Sequence, residues 1–171
     1  MQLDPRKTAP MTDGMMLRDL APGDPGWVLM RHGELYWTDE GYDHLFEAMV
    51  AGILADFVKA RGPLDRAWIA VDRAGTRQGC IFCSWPEETT ARLRMFLVEP
   101  AMRGTGLAQR LLDAVIDHAR RGGAAQLVLW THESHRAAGR LYARNGFELL
   151  DQTPVTAFGQ PTLEQNWRLS L

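Results

Sequence analysis

The chain has 171 residues, 46% of them apolar and 23% charged, the balance of a soluble globular protein with a substantial core. A formal net charge of −2 lacks the basic surplus of a general nucleic-acid binder, so no nucleic-acid partner is expected. No apolar run approaches the roughly 18 residues of a membrane span, and the polar start has no hydrophobic secretion segment, so a cytoplasmic location and no membrane partner are expected.

Residues 1–14 are polar and proline-containing and read as a flexible tail; residues 15–171 read as one domain. Residues 16–20 predict a short strand, stopped by Pro22-Gly23-Asp24-Pro25-Gly26. A short helix is expected over residues 27–32. The segment Arg31-His32-Gly33-Glu34-Leu35-Tyr36-Trp37 is dense in polar and aromatic groups. It reads either as a pocket wall or as a packed loop between two helices. From Tyr42 onward, Leu45, Phe46, Met49, Val50, Ile53, Leu54, Phe57 and Val58 recur at helical spacing until Gly62-Pro63.

Residues 67–71 and 78–85 predict a hairpin around the turn at 72–76. Cys80 and Cys83 lie in its second strand. Positions three apart on a strand face opposite ways, so these cysteines read as two small buried side chains rather than a redox pair. Residues 91–98 form the next strand, where Arg92 and Arg94 alternate with Leu93, Met95 and Leu97, and Pro100 stops it. Helices follow over about 104–121 and over 134–144, the second capped by Ser134 and ended by Asn145-Gly146. Strands are expected over 126–131, 147–150 and 163–169. The order β-α-α-β-β-β-α-β-α-β-β is an α/β chain of the α+β type. It implies a mixed, mostly antiparallel sheet of about seven strands flanked by about four helices, with one parallel pair forced by a βαβ crossover.

The chemistry concentrates in Val98-Glu99-Pro100-Ala101-Met102-Arg103-Gly104-Thr105-Gly106-Leu107-Ala108, a strand, a glycine-rich loop and a helix start. Glycines let the backbone approach a ligand, and the unpaired N–H groups and dipole of a helix N-terminus favour an anion such as a pyrophosphate. Arg103 adds positive charge at the entrance. The spacing matches neither the P-loop nor the dinucleotide pattern G-x-G-x-x-G, and a tight turn without ligand is the alternative.

A second cluster, Ser134-His135-Arg136-Ala137-Ala138-Gly139-Arg140-Leu141-Tyr142-Ala143-Arg144-Asn145-Gly146-Phe147, lies about 40 residues downstream. Together the two clusters resemble the GNAT superfamily of N-acetyltransferases. Arg103-x-x-Gly106-x-Ala108 matches its R/Q-x-x-G-x-G/A loop, and Leu141-Tyr142-x-x-x-Gly146-Phe147 its L-Y-x-x-x-G-F motif. Arg31 to Tyr36, Phe46-Glu47, Asp56-Phe57, Leu97-Val98-Glu99-Pro100, Phe158-Gly159 and Trp167 are similar to a subgroup often fused to MarR-type regulators, of which this chain resembles the acetyltransferase half standing alone. Where the family often has Asn at the start of the second motif, this sequence has His135 preceded by Ser134.

The resemblance implies acetyl-CoA as co-substrate, no metal, and a small-molecule or peptide amine as acceptor. It assigns cofactor contacts to Leu97, Val98, Arg103, Gly104, Thr105, Gly106, Leu107, Ala108 and His135, with the Val98 N–H as oxyanion donor. It gives Tyr142 the protonation of the departing thiolate. An amine with a pKa near 10.4 must first lose a proton. Glu99 is the first candidate base, with His132 and Glu133 as alternatives. Arg31, His32 and Tyr36 are the expected acceptor-binding residues. The closing strands allow a homodimer, and a non-catalytic acyl-CoA sensor is the alternative function.

Overall fold

The computed structural model describes residues 14–171, so all but the last residue of the expected tail lies outside the described residues. In chain order the elements are β1 (Met16–Arg18), α1 (Asp24–Glu40), α2 (His44–Lys59), β2 (Arg66–Val71), β3 (Arg77–Glu87) and β4 (Thr90–Val98). These are followed by α3 (Leu107–Arg121), β5 (Gln126–His132), α4 (Arg136–Arg144), β6 (Glu148–Ala157) and β7 (Gln160–Ser170). The order is the expected one. The seven strands form one sheet in the order β1-β2-β3-β4-β5-β7-β6, antiparallel throughout except for the β4–β5 pair.

Alternation along the strands divides the core in two. On one face α1 and α2 lay Val28, Val50, Leu54 and Phe57 against Ala67, Ile69, Cys80 and Phe82. On the other, α3 lays Leu111, Leu112 and Val115 against Trp68, Ile81, Cys83 and Leu127, with Leu141 and Tyr142 of α4 beside them. Cys80 and Cys83 thus enter opposite cores as free thiols. Burial pushes both up, Cys83 to about 12, which keeps them protonated and inert.

Three expectations change. α1 has 17 residues rather than a short turn at 27–32, so Arg31 to Trp37 are helical and not an interhelical loop. Its buried side chains Val28, His32 and Leu35 follow one helical face, a stripe that His32 and the flanking polar residues disguise. The last two strands are longer than expected because a two-residue turn joins them. Phe158 and Gly159 both take positive φ (53° and 79°), the geometry of a type I′ hairpin turn. Pro154 sits in β6, and as an edge strand β6 tolerates it. Finally, the residue preceding α4 is His135 rather than Ser134, and no side chain caps that helix.

Close packing fixes α3 over β3. A Cβ placed on Gly79 would lie 2.9 Å from the Leu97 carbonyl oxygen and 3.2 Å from Leu111 Cδ1. Gly79→Ala is therefore expected to destabilise the protein by about 1–3 kcal/mol through overpacking. Urea unfolding should show a lower midpoint at unchanged slope.

Candidate active site

The site begins where the sheet opens. β4 and β5 pair only from Thr90–Gln126 to Arg92–Val128 and then part company. The β3–β4 register shifts between Cys80–Leu97 and Phe82–Arg94, so β4 carries a bulge at Met95 and Phe96. Met95 has a φ of 50°, a strained value for a residue with a side chain, and its carbonyl accepts the Cys80 thiol at 3.1 Å. Beyond the bulge the Glu99 N–H donates to the Gln78 carbonyl at 2.9 Å. Ladder bonds alternate along an antiparallel strand, so the Val98 N–H faces away from β3, into the gap that β5 has left.

A short 3-10 turn, Pro100–Met102, leads from β4 to the loop. Gly104 and Gly106 take φ values of 77° and 91°, which side chains rarely adopt. No side chain caps α3. The first bond into the helix runs from Arg110 N–H to the Gly106 carbonyl at 3.1 Å, leaving the N–H groups of Leu107, Ala108 and Gln109 without intrahelical acceptors. The Leu107 side chain is fully buried, so only its main chain meets the loop. Thr105 turns inward, its hydroxyl donating to the Met102 carbonyl at 2.7 Å. Arg103 pairs with Asp39 at 2.6 Å on the surface, an exposed contact that costs little to release.

The parting of the strands leaves a cavity of about 700 Å³ that both faces of the sheet line. Phe96, Ala138 and Tyr142 contribute from the α4 side, and His32, Tyr36, Phe46 and Met49 from the α1–α2 side. Tyr142 is buried, with its ring near Phe96, Phe147 and Trp167. No described residue hydrogen-bonds its hydroxyl, and burial pushes the phenol well above its ordinary value.

Residues 29–147 match the model of the acetyltransferase (GNAT) family. The chain belongs to that family. Among relatives, N-alpha-acetyltransferase 30 of Saccharomyces cerevisiae is 36% identical over 88 residues, 47% of this chain and 50% of that protein. The chain thus spans half or less of the length of its first curated relatives. A GCN5-related N-acetyltransferase from Kribbella flavida shares the fold with a TM-score of 0.73 at 22% identity, over 94% of this chain and 99% of that one. An acetyltransferase from Salmonella typhimurium, solved with acetyl-CoA, has a TM-score of 0.70 at 23% identity, over 92% and 94% of the two chains.

In this GNAT chain the expected site residues separate into three groups. Leu97, Val98 and residues 103–108 form the β4–α3 rim. Tyr142, His135, His32 and Tyr36 line the cavity. Arg31 and Glu99 do neither. The Arg31 guanidinium grips both Glu99 carboxylate oxygens, at 2.6 and 2.7 Å, and also bonds Glu34, so the pair ties α1 to the end of β4. Glu133 is exposed and faces Arg136.

The imidazoles in the cavity wall are uncharged at neutral pH. Burial lowers His32 to about 4, and its Nδ1–H donates to the Val28 carbonyl at 2.8 Å. Burial and the neighbouring His132 lower His135 to about 4; its Nδ1 lies 3.0 Å from the Thr131 hydroxyl. His132 is lowered by burial, its Nδ1 2.6 Å from the Tyr42 hydroxyl. Arg92, Arg94 and Trp130 also line the cavity, which their sequence positions alone did not place there. The alternation of two arginines on the strand that feeds the glycine loop was the available clue. Among the described residues, no group of three or more His, Cys, Asp or Glu is arranged to hold a metal, and no helix is long and apolar enough to cross a membrane.

Proposed function

We propose that the protein is an acetyl-CoA-dependent N-acetyltransferase that acetylates a primary amine of a small molecule or peptide by direct attack in a ternary complex. The observation that carries this reading is the parted β4–β5 pair, with the Val98 N–H facing the gap and the uncapped start of α3 at its end. Acetyl-CoA would supply the activated thioester. Gly104, Gly106 and the first N–H groups of α3 fit its pyrophosphate, and the gap fits an extended arm. His135 fits a contact along that arm, in place of the family's Asn.

The Val98 N–H is a fixed donor for the oxygen that becomes negative during transfer, and it needs no reorganisation to act. Tyr142 offers its hydroxyl to the departing sulfur. Glu99 is assigned to positioning: a proton on it would break the two-pronged pair with Arg31. We route the amine's proton instead through cavity water towards the neutral imidazoles His132 and His135. The narrower likeness to MarR-fused acetyltransferases is part of this proposal; its motif residues Arg31 and Glu99 form one ion pair, and Phe158 packs on Tyr42 and Phe46.

Titration calorimetry with acetyl-CoA tests the reading first, and binding in the micromolar range is expected. A Gly106→Val variant, whose side chain opposes the left-handed backbone, should weaken that binding by roughly tenfold or more. Binding without thiol release for any amine would leave the acyl-CoA sensor as the function; no binding would end both readings.

A further inference from the structure

Arg92 and Arg94 stand two residues apart on β4 and line the cavity on the α1–α2 side of the sheet. Their β3 partners are Ser84 and Phe82, and Phe82 belongs to the α2-side core. Both are half-buried. Among the described residues, no carboxylate pairs with either one. The carboxylate that does line the cavity, Asp151, is exposed and accepts from Asn166 Nδ2 at 2.9 Å. Elsewhere the chain pairs its partly buried arginines carefully: Arg18 and Arg77 share Asp24, and Arg31 holds Glu99.

Two neighbouring guanidiniums without counter-ions are unfavourable. Each loses part of its hydration, and the two repel. Burial and the Arg92 charge both act against the charged form of Arg94. A guanidinium stays protonated in proteins, so the cost is relieved only by an anion. Arginine's planar fork favours a flat or tetrahedral oxyanion that can accept two hydrogen bonds.

Position adds the second half. The parallel pairing ends at Arg92–Val128, so Arg94 and Trp130, each two residues further along its strand, stand where the gap begins, and both line the cavity. The gap-facing Val98 N–H and Tyr142 put the chemistry at the Phe96 end. Arg94 is two residues back along β4, on the other side of the bulge. Trp130, 40% exposed, and Met49 border the same space with apolar surface.

We infer that the acceptor is a small primary amine bearing an oxyanion a few bonds from its nitrogen, an amino acid in the simplest case, with Arg92 and Arg94 holding the oxyanion and an apolar body resting on Trp130. The inference rests on the acetyl-transfer reading and deepens it. It predicts that polyamines, which bring only positive charge, are poor acceptors.

The test uses the full chain, acetyl-CoA and matched acceptors: apolar L-amino acids, their amides, the corresponding aminophosphonates, and spermidine. Thiol release should favour the acids over the amides by roughly 10- to 100-fold in kcat/KM, the weight of a hydrogen bond to a charged group. The phosphonate arm separates a demand for a carboxylate from a demand for any oxyanion. In an Arg92→Gln/Arg94→Gln double variant that ratio should fall towards one, and Arg94→Lys should fall between. Amides or spermidine used as well as the acids would overturn the inference. Binding of N-acetyl amino acids in the presence of coenzyme A needs no turnover and gives a separate reading. Arginine-dependent binding with no acceptor turned over would uphold the anion site while ending the transferase reading. Product binding that is absent, or unchanged in the double variant, would overturn the anion site itself.

Discussion

Tyr142→Phe is expected to lower kcat by about a hundredfold while changing acetyl-CoA affinity little, because only a proton-donating group is removed. The ring sits in the core between Phe96, Phe147 and Trp167, and phenylalanine fills the same space, so folding should be spared. The hydroxyl, by contrast, has no hydrogen-bond partner among the described residues and borders the cavity. Burial pushes the phenol well above its usual value, which fixes the direction of its action. It stays protonated at every working pH and so donates; it cannot serve as the base. A thiol has a pKa near 8.5, so full transfer from this phenol to a thiolate is uphill. The hydroxyl therefore acts chiefly by hydrogen-bonding the developing charge; the ammonium proton lost before attack takes the imidazole route, and the proton shed from nitrogen as the amide forms ends on sulfur. A kcat–pH profile that shows no fall on its alkaline side, in wild type and Tyr142→Phe alike, agrees with this. Turnover within about threefold of wild type would remove Tyr142 from the chemistry, since a fixed donor to developing charge contributes roughly 10²-fold or more.

The elements that periodicity describes were the legible ones. α2 and α3 carry unbroken apolar stripes, and β2 and β3, on either side of the turn at 72–76, are short runs buried on both faces and bounded by turn residues. The glycine loop was legible because Gly104 and Gly106 stand where only glycine is comfortable. α1 was not, because its buried face includes His32 and Asp24. A charged or titratable residue reads as surface until its partners are known. The same reason hides the site's polar half. Glu99 looked free beside the loop, yet its partner Arg31 is 68 positions away in sequence. Arg92 and Arg94 read only as the polar positions of an alternating strand, and only the parting of β4 from β5 turns them into a cavity wall. No local pattern encodes that parting; it accompanies the bulge at Met95 and Phe96, whose register can be seen only in the sheet.

Asp24→Asn is expected to be the most destabilising conservative change, at about 3 kcal/mol, the lower end of the cost of breaking a buried ion pair. Asp24 opens α1, is 0% exposed, and has no side-chain cap ahead of it. Its carboxylate accepts Arg18 from β1, Arg77 Nε from β3 at 2.7 Å and the Ala21 N–H at 2.6 Å. Burial alone would raise its pKa, but these donors outweigh it and hold the group at about 2, against 3.8 when unfolded. A depressed folded value means that the linked stability is complete above about pH 4 and is lost as pH falls through 2. The shift corresponds to about 2 kcal/mol. An amide at this place would turn N–H donors towards two guanidiniums and leave both without a counter-ion. Thermal melts at pH 7 should show the variant roughly 6–12 °C below wild type. Near pH 2 the gap should shrink, because the wild-type carboxylate is then half protonated. A gap that holds its full size at pH 2 would show that the loss is one of shape, not charge. The consequence should reach the site as well. α1 carries His32 and Tyr36 to the cavity wall, and Asp24 is what fastens its first turn to the sheet. Loosening it should therefore raise the acceptor KM before it touches acetyl-CoA binding, which depends on β4 and α3.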